Sequence, residues 1–338
     1  MLKRSKCVLV VFILLACNMK DRKKMSEVQT DLGPVGNEKV YERFEAFKQS
    51  GKGCDASLSN PANSKAKRTR VMVTGFGLFQ GVDYNISGVV AESMMDPEFW
   101  PESTNLFQGP GSPADKLSEA SDGRLDSEDQ GAKAVTRNIS VNGRDLTVCF
   151  MLLDVYWDLA GAIVIDQIEK FQPDFVFMTG RGAEEPVYEW GAINNAKHAS
   201  GFESDGTVAA ESTPVNEAYN YVLPTNTIGV SYNAPLLWDN KRLVEVTKDD
   251  IAALGFAAIA PPAPRPSNDY ICNNISYIVV HAVKGVNVQL AGEKISLKIT
   301  VPKIPKVGFF HYPAAAKNEK DSVFRWARVI AKTIITEI

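Results

Sequence analysis

Histidine and cysteine are scarce in this chain, and neither residue forms a pattern that could bind a metal ion. The 338 residues include three histidines, His198, His281 and His311, and five cysteines. None of them has the Cys/His spacing of a zinc site, which argues against a metal enzyme. The chain also lacks a large excess of either positive or negative charge, since its net charge is only −3. We therefore expect no nucleic-acid partner.

The N-terminal apolar run is too short for a comfortable membrane span, which takes about 20 residues. Residues 7–16 are apolar, follow three positive residues among the first six, and end in Leu-Leu-Ala before Cys17. This resembles the bacterial lipobox, in which the cysteine is lipidated and becomes the mature N-terminus. We predict a signal peptide at 1–16, lipidation of Cys17 and an exported, membrane-anchored lipoprotein on the periplasmic or cell-surface side. An ordinary secretory signal or an uncleaved short anchor remains open.

Residues 17–68 are polar and charged, which predicts a largely disordered tether with one short helix around 40–48. The folded domain is then expected at 69–338. If Cys17 carries lipid, the mature chain keeps three other cysteines, which cannot all pair with one another. Cys272 is the candidate for the free thiol, and a Cys54–Cys149 disulfide is left open because no spacing rule supports it.

Apolar strands alternate with amphipathic helices along the rest of the chain. This alternation predicts a three-layer α/β/α sandwich with a mostly parallel twisted sheet. Two polar segments, 99–132 and 200–268, are predicted as insertions. Predicted strands are 70–74, 134–141, 145–153, 174–179 and 295–301, with a hairpin turn at Asn142-Gly143, and predicted helices are 87–95, 157–171, 272–284 and 320–335.

Three reactive side chains are expected to meet at one end of this sheet. Cys272 lies at the start of an apolar helix, where unpaired N–H groups favour a thiolate and lower its pKa. His311 follows an apolar, strand-like stretch and could act as the base. Glu189 follows another strand and could orient the imidazole. The loops at Gly75, Gly180 and His311 are each expected to follow a strand and to converge on one cleft.

Four segments of the chain resemble motifs of the pyroglutamyl peptidase I family of cysteine peptidases, also called pyrrolidone carboxyl peptidases. They occur in the family's order, which makes the resemblance more specific than any one of them. The segments are Val71-Met-Val-Thr-Gly-Phe76 with Phe79 and Asn85-Ile-Ser87, Glu189-Trp-Gly-Ala-Ile-Asn194, Tyr270-Ile-Cys272-Asn273, and Phe310-His311-Tyr312-Pro313.

The resemblance implies a cysteine exopeptidase that hydrolyses the amide bond after an N-terminal pyroglutamyl residue. Cys272 would be the nucleophile, His311 the acid and base, and Glu189 the residue that stabilises the imidazolium. Phe76 and Phe79 match the aromatic residues that flank the lactam ring. The resemblance also implies no metal or organic cofactor, and it leaves a homo-oligomer open.

The chain departs from the family in two loops. The family's Pro-Phe-Gly-Gly is Leu-Phe-Gln-Gly at 78–81, and its glutamine-containing loop reads Gly-Arg-Gly-Ala-Glu-Glu at 180–185. Arg181 could occupy the glutamine's place, but arginine donates hydrogen bonds and cannot accept one from a lactam N–H. A related small amide substrate, or a non-catalytic lipoprotein that binds a partner, therefore remains an alternative.

Each of these residues also has an ordinary structural interpretation. Cys272, Phe76 and Phe79 could be core residues, His311 a structural histidine and Glu189 a solvated charge. Arg181 could pair with Glu184 or Glu185. His198 and His281 are both interpreted as structural.

Overall fold

The structure, a computed structural model, describes eleven ranges of the chain and six α-helices within them. The described ranges are 33–59, 68–78, 84–96, 123–141, 143–195, 201–202, 208–209, 222–223, 228–265, 270–317 and 319–338. The helices are α1 Gly33–Ser50, α2 Ile86–Ser93, α3 Leu159–Phe171, α4 Asn240–Ala252, α5 Ile271–Val283 and α6 Lys320–Glu337. The strands are β1 Thr69–Phe76, β2 Ala132–Val141, β3 Arg144–Leu153, β4 Phe175–Ala183, β5 Val187–Tyr188, β6 Gly191–Ile193, β7 Gly201–Phe202, β8 Val208–Ala209, β9 Asn233–Pro235, β10 Val288–Leu290, β11 Ile295–Leu297 and β12 Lys306–Pro313.

A six-stranded sheet in the order β2-β3-β1-β4-β12-β5 forms the centre of the molecule. Its four inner strands are parallel, and β2 and β5 pair antiparallel at the two edges. The hairpin predicted at Asn142-Gly143 is confirmed, since β2 and β3 pair from Val141 and Arg144 outward. The predicted fold class, an α/β sandwich with a mostly parallel sheet, is likewise confirmed.

Helices cover both faces of the sheet, because the inner strands are apolar on both sides. Alternate residues of each strand point to opposite faces, which divides the core into two clusters. Met72, Met178 and Phe309 pack in the cluster that includes α3 and α5, whereas Val73 and Phe177 pack in the cluster that includes α2 and α6. We call the first of these the α5 face.

The prediction of a disordered tether at 17–68 is wrong for residues 33–59, because these residues belong to the folded domain. Val40, Phe44 and Phe47 lie on one side of α1 and are at most 2% exposed in the cluster of the α5 face. Cys54, just after α1, forms a disulfide with Cys149 of β3. This bond spans 95 residues, and the chain-entropy account gives such a cross-link about 4–5 kcal/mol of stabilisation.

Two further predictions need correction. The predicted strand at 295–301 is shorter and pairs with β10 in a separate two-stranded sheet, so the strand beside β4 is β12. The predicted insertion at 200–268 contains α4, which packs against α6 and is part of the fold. The signal peptide, Cys17, Phe79, His198 and most of the insertion at 99–132 lie outside the described residues. Among the helices that the structure describes, none combines the length and apolar character needed to cross a membrane.

Candidate active site

Cys272, His311 and Glu189 come together on the α5 face of the sheet, near the carboxyl ends of β4 and β12. His311 pairs in register with Gly180 of the neighbouring strand, so the two positions lie side by side. The Cys272 sulfur lies over Gly180, and Glu189 contacts the His311 ring. Gly180 and His311 were expected in loops, but both lie within strands.

The Glu189 carboxylate binds the His311 imidazole directly. The distance between Nδ1 and Oε1 is 2.7 Å, and the two residues are 4% and 1% exposed. With its proton on Nδ1 and donated to Glu189, the neutral imidazole keeps Nε2 free to accept a proton. Backbone contacts hold Glu189 in place, because its N–H donates to the Phe309 carbonyl at 3.0 Å and its own carbonyl accepts from Trp238 Nε1 at 2.8 Å.

Arg265 is a fourth member of the site and carries a positive charge, and no sequence motif indicated it. Its Nε donates to Glu189 Oε1 and Oε2 at 3.1 and 3.3 Å, and its Nη2 also contacts Oε1. Nη2 lies 3.2 Å from His311 Nδ1. Arg265 lies in a proline-rich segment without periodicity, and the only available signal was a lone cation seven residues before Cys272.

Hydrogen bonds from Asn273 fix the first turn of α5, which carries the thiol. The Asn273 side chain accepts from the Ile193 N–H and donates to the Ile193 carbonyl, both at 2.8 Å, and also donates to the Asn195 carbonyl at 3.0 Å. Asn273 is fully buried. These bonds tie the nucleophile's helix to β6, which begins two residues after Glu189.

Gly180 gives the thiol its place against the sheet. A Cβ added at this position would lie 2.5 Å from the Cys272 sulfur and 3.0 Å from Phe309 Cζ. Both distances are well below ordinary van der Waals contact. The absence of a side chain at 180 therefore allows the thiol to lie over the strand position next to His311.

Gly180→Ala is expected to destabilise the protein by about 1–3 kcal/mol, because the added methyl group overpacks this contact. Urea unfolding of the single variant would measure that cost. The matched control is the same substitution in a Cys272→Ala background, where the sulfur is gone and the cost should shrink. An equal cost in both backgrounds would mean that the thiol does not lie against Gly180.

The predicted lowering of the thiol pKa is wrong. Burial raises the pKa of Cys272 to about 12, and the Glu189 carboxylate pushes it in the same direction. Arg265 and the residue's own backbone N–H act in the opposite direction but do not compensate. Cys272 is a free, buried thiol, and no hydrogen bond joins it to His311 in this part of the described chain. The resting thiol is therefore protonated and needs a base.

The Glu189 carboxylate remains charged despite its burial. Burial raises the pKa of this carboxyl group, but hydrogen bonds and charge from His311 and Arg265 outweigh that effect and lower its pKa overall. The acid is thus ionised at neutral pH and can stabilise a positive imidazole.

Two of the predicted substrate-binding residues, Phe76 and Arg181, lie in the described part of the chain and have structural contacts there. Phe76 ends β1 and is 2% exposed in the core of the α5 face. The Arg181 guanidinium donates to the Ala314 carbonyl at 2.8 Å and to the Tyr84 carbonyl at 3.1 Å, and it stacks on the Tyr84 ring. Arg181 therefore ties β4 to two neighbouring loops.

His281 lies within α5, a helix whose residues are all buried, and has structural contacts. Its Nδ1 lies 2.9 Å from the Tyr277 carbonyl, and its Nε2 accepts from the Ser231 N–H at 3.3 Å. Burial lowers the pKa of this imidazole, which keeps it neutral. Within the described ranges, no group of three or more His, Cys, Asp or Glu side chains could hold a metal ion.

Among known proteins, this chain is similar to solved structures, and the similarity is in the fold. No protein-family model and no curated protein match the chain. Pyroglutamyl peptidase I from Bacillus amyloliquefaciens aligns over 80% of this chain and 98% of its own, with 15% identity and a TM-score of 0.47. Pyrrolidone carboxyl peptidase from Pyrococcus furiosus gives the same four values.

Proposed function

We propose that this chain is a cysteine exopeptidase that hydrolyses the amide bond after an N-terminal pyroglutamyl residue. The observation that carries the proposal is the meeting of Cys272, His311 and Glu189 on one face of the sheet. These three residues lie in separate segments of the chain. The sequence motifs had already indicated them as the nucleophile, the base and the orienting carboxylate of a cysteine peptidase. The pyroglutamyl part of the proposal depends on the motif resemblance.

In the proposed reaction, His311 Nε2 takes the thiol proton while the Cys272 sulfur attacks the amide carbonyl. The tetrahedral oxyanion is stabilised by the backbone N–H of Cys272, because the next two N–H groups of α5 donate to the Tyr270 carbonyl. His311 then gives its proton to the leaving amine, which departs as the thioester forms. Water hydrolyses the thioester with His311 as the base, releasing pyroglutamate and restoring the thiol.

The resting charges favour proton transfer during attack over a preformed ion pair. With a pKa of about 12, the Cys272 thiol holds its proton until the imidazole removes it. Glu189 stabilises the imidazolium that forms, through the 2.7 Å contact to Nδ1. The reaction is therefore expected to depend strongly on His311 at neutral pH.

The test compares two five-membered-ring substrates on the reduced wild-type protein. We expect release of aminomethylcoumarin from its pyroglutamyl amide to be at least about 10-fold faster than from its prolyl amide, since the proline ring lacks the lactam carbonyl. Iodoacetamide is expected to label Cys272 slowly at pH 7, since His311 must first remove the thiol proton, and His311→Ala is expected to slow that labelling further.

The remaining outcomes separate the alternatives. Labelling of Cys272 without cleavage of either amide would favour thiol chemistry on a different small amide, which the backbone contacts of Arg181 also allow. Neither labelling nor cleavage, in a protein that unfolds cooperatively, would favour a non-catalytic lipoprotein that binds a partner.

We also propose that the protein is exported and held to a bacterial membrane through lipid on Cys17. The positive N-terminus, the short apolar run and the cysteine after Ala16 support this. The Cys54–Cys149 disulfide is consistent with an oxidising compartment. Mass spectrometry of the membrane fraction would detect a diacylglyceryl-modified Cys17 peptide, and an unmodified peptide spanning residues 10–20 would contradict it.

A further inference from the structure

Arg265 contacts both members of the Glu189–His311 pair rather than one of them. Its Nε binds both carboxylate oxygens, its Nη2 contacts Oε1, and the same Nη2 lies 3.2 Å from His311 Nδ1. His311 Nδ1 and Arg265 therefore donate to the same oxygen. A guanidinium group can only donate, so Nδ1 cannot give its proton to Arg265.

The Arg265 guanidinium places a positive charge next to the imidazole. This charge opposes protonation of His311. Among the described residues, His311 contacts the Glu189 carboxylate, the Arg265 guanidinium and the Phe309 ring, and it lies beside Gly180 with the Cys272 sulfur over that glycine. Glu189 favours imidazolium and Arg265 disfavours it. The balance between these two charges sets how readily His311 is protonated before the thiol gives up its proton.

Other contacts hold the segment that carries Arg265, so its ion pair is not needed to attach that segment to the sheet. The Ile259 N–H donates to the Pro186 carbonyl at 2.9 Å, and the Tyr188 N–H donates to the Ile259 carbonyl at 3.0 Å. Asn240 adds a bond to the Pro261 carbonyl at 3.3 Å. The Arg265 side chain is also 27% exposed, whereas that of Glu189 is 1% exposed.

We propose that Arg265 is a positioning residue that holds the Glu189 carboxylate against His311 Nδ1 and opposes protonation of the imidazole, which leaves Nε2 ready to accept the Cys272 proton. The inference rests on the proposed function for the role of His311 as a base. It assigns to Arg265 an effect on proton uptake that a residue holding the loop alone would not have.

The direct test is an NMR titration of the histidine rings in a Cys272→Ala background, which removes the coupled thiol and needs no substrate. The chain has three histidines, so the His311 signal can be assigned by its loss in a His311 variant. Arg265→Gln is expected to move the His311 titration midpoint upward by about 1 pH unit or more, because the opposing charge is gone. Arg265→Lys keeps the charge and is expected to restore most of the original midpoint.

Two controls test whether the shift in the His311 midpoint comes from the local charges. Glu189→Gln is expected to move the same midpoint downward, and the His281 signal is expected to stay where it is in every variant. An unchanged or lowered His311 midpoint in Arg265→Gln, with an unchanged far-ultraviolet spectrum, would overturn the proposal. If Arg265→Gln does not fold, Arg265→Lys against Arg265→Met at the same pH values decides the question by the same criterion.

If the wild-type enzyme cleaves a pyroglutamyl amide, the acid limb of its pH–rate profile provides a second readout. Arg265→Gln is expected to shift that limb upward, since more imidazole is protonated at a given pH. A loss of rate that is equal at every pH would show a structural role and would contradict the proposal. A protein without activity would refute the proposed function, while the NMR titration would still decide the role of Arg265.

Discussion

Replacing Cys272 with alanine is expected to reduce pyroglutamyl amide hydrolysis by about 10⁴-fold or more while leaving the fold intact. The thiol supplies the bond to the acyl group, and removing a nucleophile from such a constellation leaves only the binding and oxyanion contributions. The side chain is small, apolar in its contacts and 6% exposed, so its truncation costs only about 1 kcal/mol of unfolding free energy.

Steady-state hydrolysis and urea unfolding of the same preparations would measure both effects. Cys272→Ser is the matched control, since it replaces the thiol with a hydroxyl group of similar size that a buried imidazole activates poorly. We expect it to be nearly as inactive as the alanine variant. A Cys272→Ala protein that kept more than about a hundredth of the wild-type rate would exclude Cys272 as the nucleophile.

Glu189→Gln is expected to lower kcat by about 10³–10⁴-fold and to destabilise the protein. The amide removes the charge that stabilises imidazolium and can offer His311 Nδ1 a donor in place of an acceptor, which permits the wrong tautomer. It also leaves Arg265 without its partner. Removing one member of a buried ion pair costs about 3–5 kcal/mol, and the partial exposure of Arg265 reduces this to about 2–4 kcal/mol.

A double variant separates the two consequences. Glu189→Gln combined with Arg265→Gln removes both charges and is expected to recover much of the lost stability without recovering activity. Glu189→Asp, which keeps the charge on a shorter side chain, is expected to retain more activity than Glu189→Gln. If the double variant regained the wild-type rate, Glu189 would have no role in orienting His311.

The sequence was sufficient to predict the layers of the fold and to single out three residues, Cys272, His311 and Glu189, that the fold brings to one face of the sheet. Apolar segments separated by amphipathic helices predicted a parallel sheet, and a parallel sheet places the ends of β4 and β12 side by side. That placement brings residue 311 next to residue 180. The prediction could not extend to atomic contacts, because the distance between side chains depends on how α5 packs against the sheet.

The predictions of a tether at residues 33–59 and of a low thiol pKa were wrong because each used a local sequence signal without the tertiary contacts around it. The spacing of Val40, Phe44 and Phe47 marks one face of a helix, but the polar composition around them suggested a tether. The position of Cys272 at a helix start suggested a low thiol pKa, yet burial dominates there. Arg265 could not have been assigned, since its contact with Glu189 joins positions 76 residues apart without any repeating pattern.

The burial of Cys272 also affects the chemical lifetime of the protein. Disulfides and peroxides react with thiolate rather than thiol, and a pKa of about 12 leaves on the order of one thiolate in 10⁵ molecules at pH 7. A sulfur that is 6% exposed and almost wholly protonated is slow to form a sulfenic acid or a mixed disulfide. The same domain can therefore carry the Cys54–Cys149 cross-link and an unpaired cysteine without scrambling them, and Cys272 becomes reactive only when His311 removes its proton.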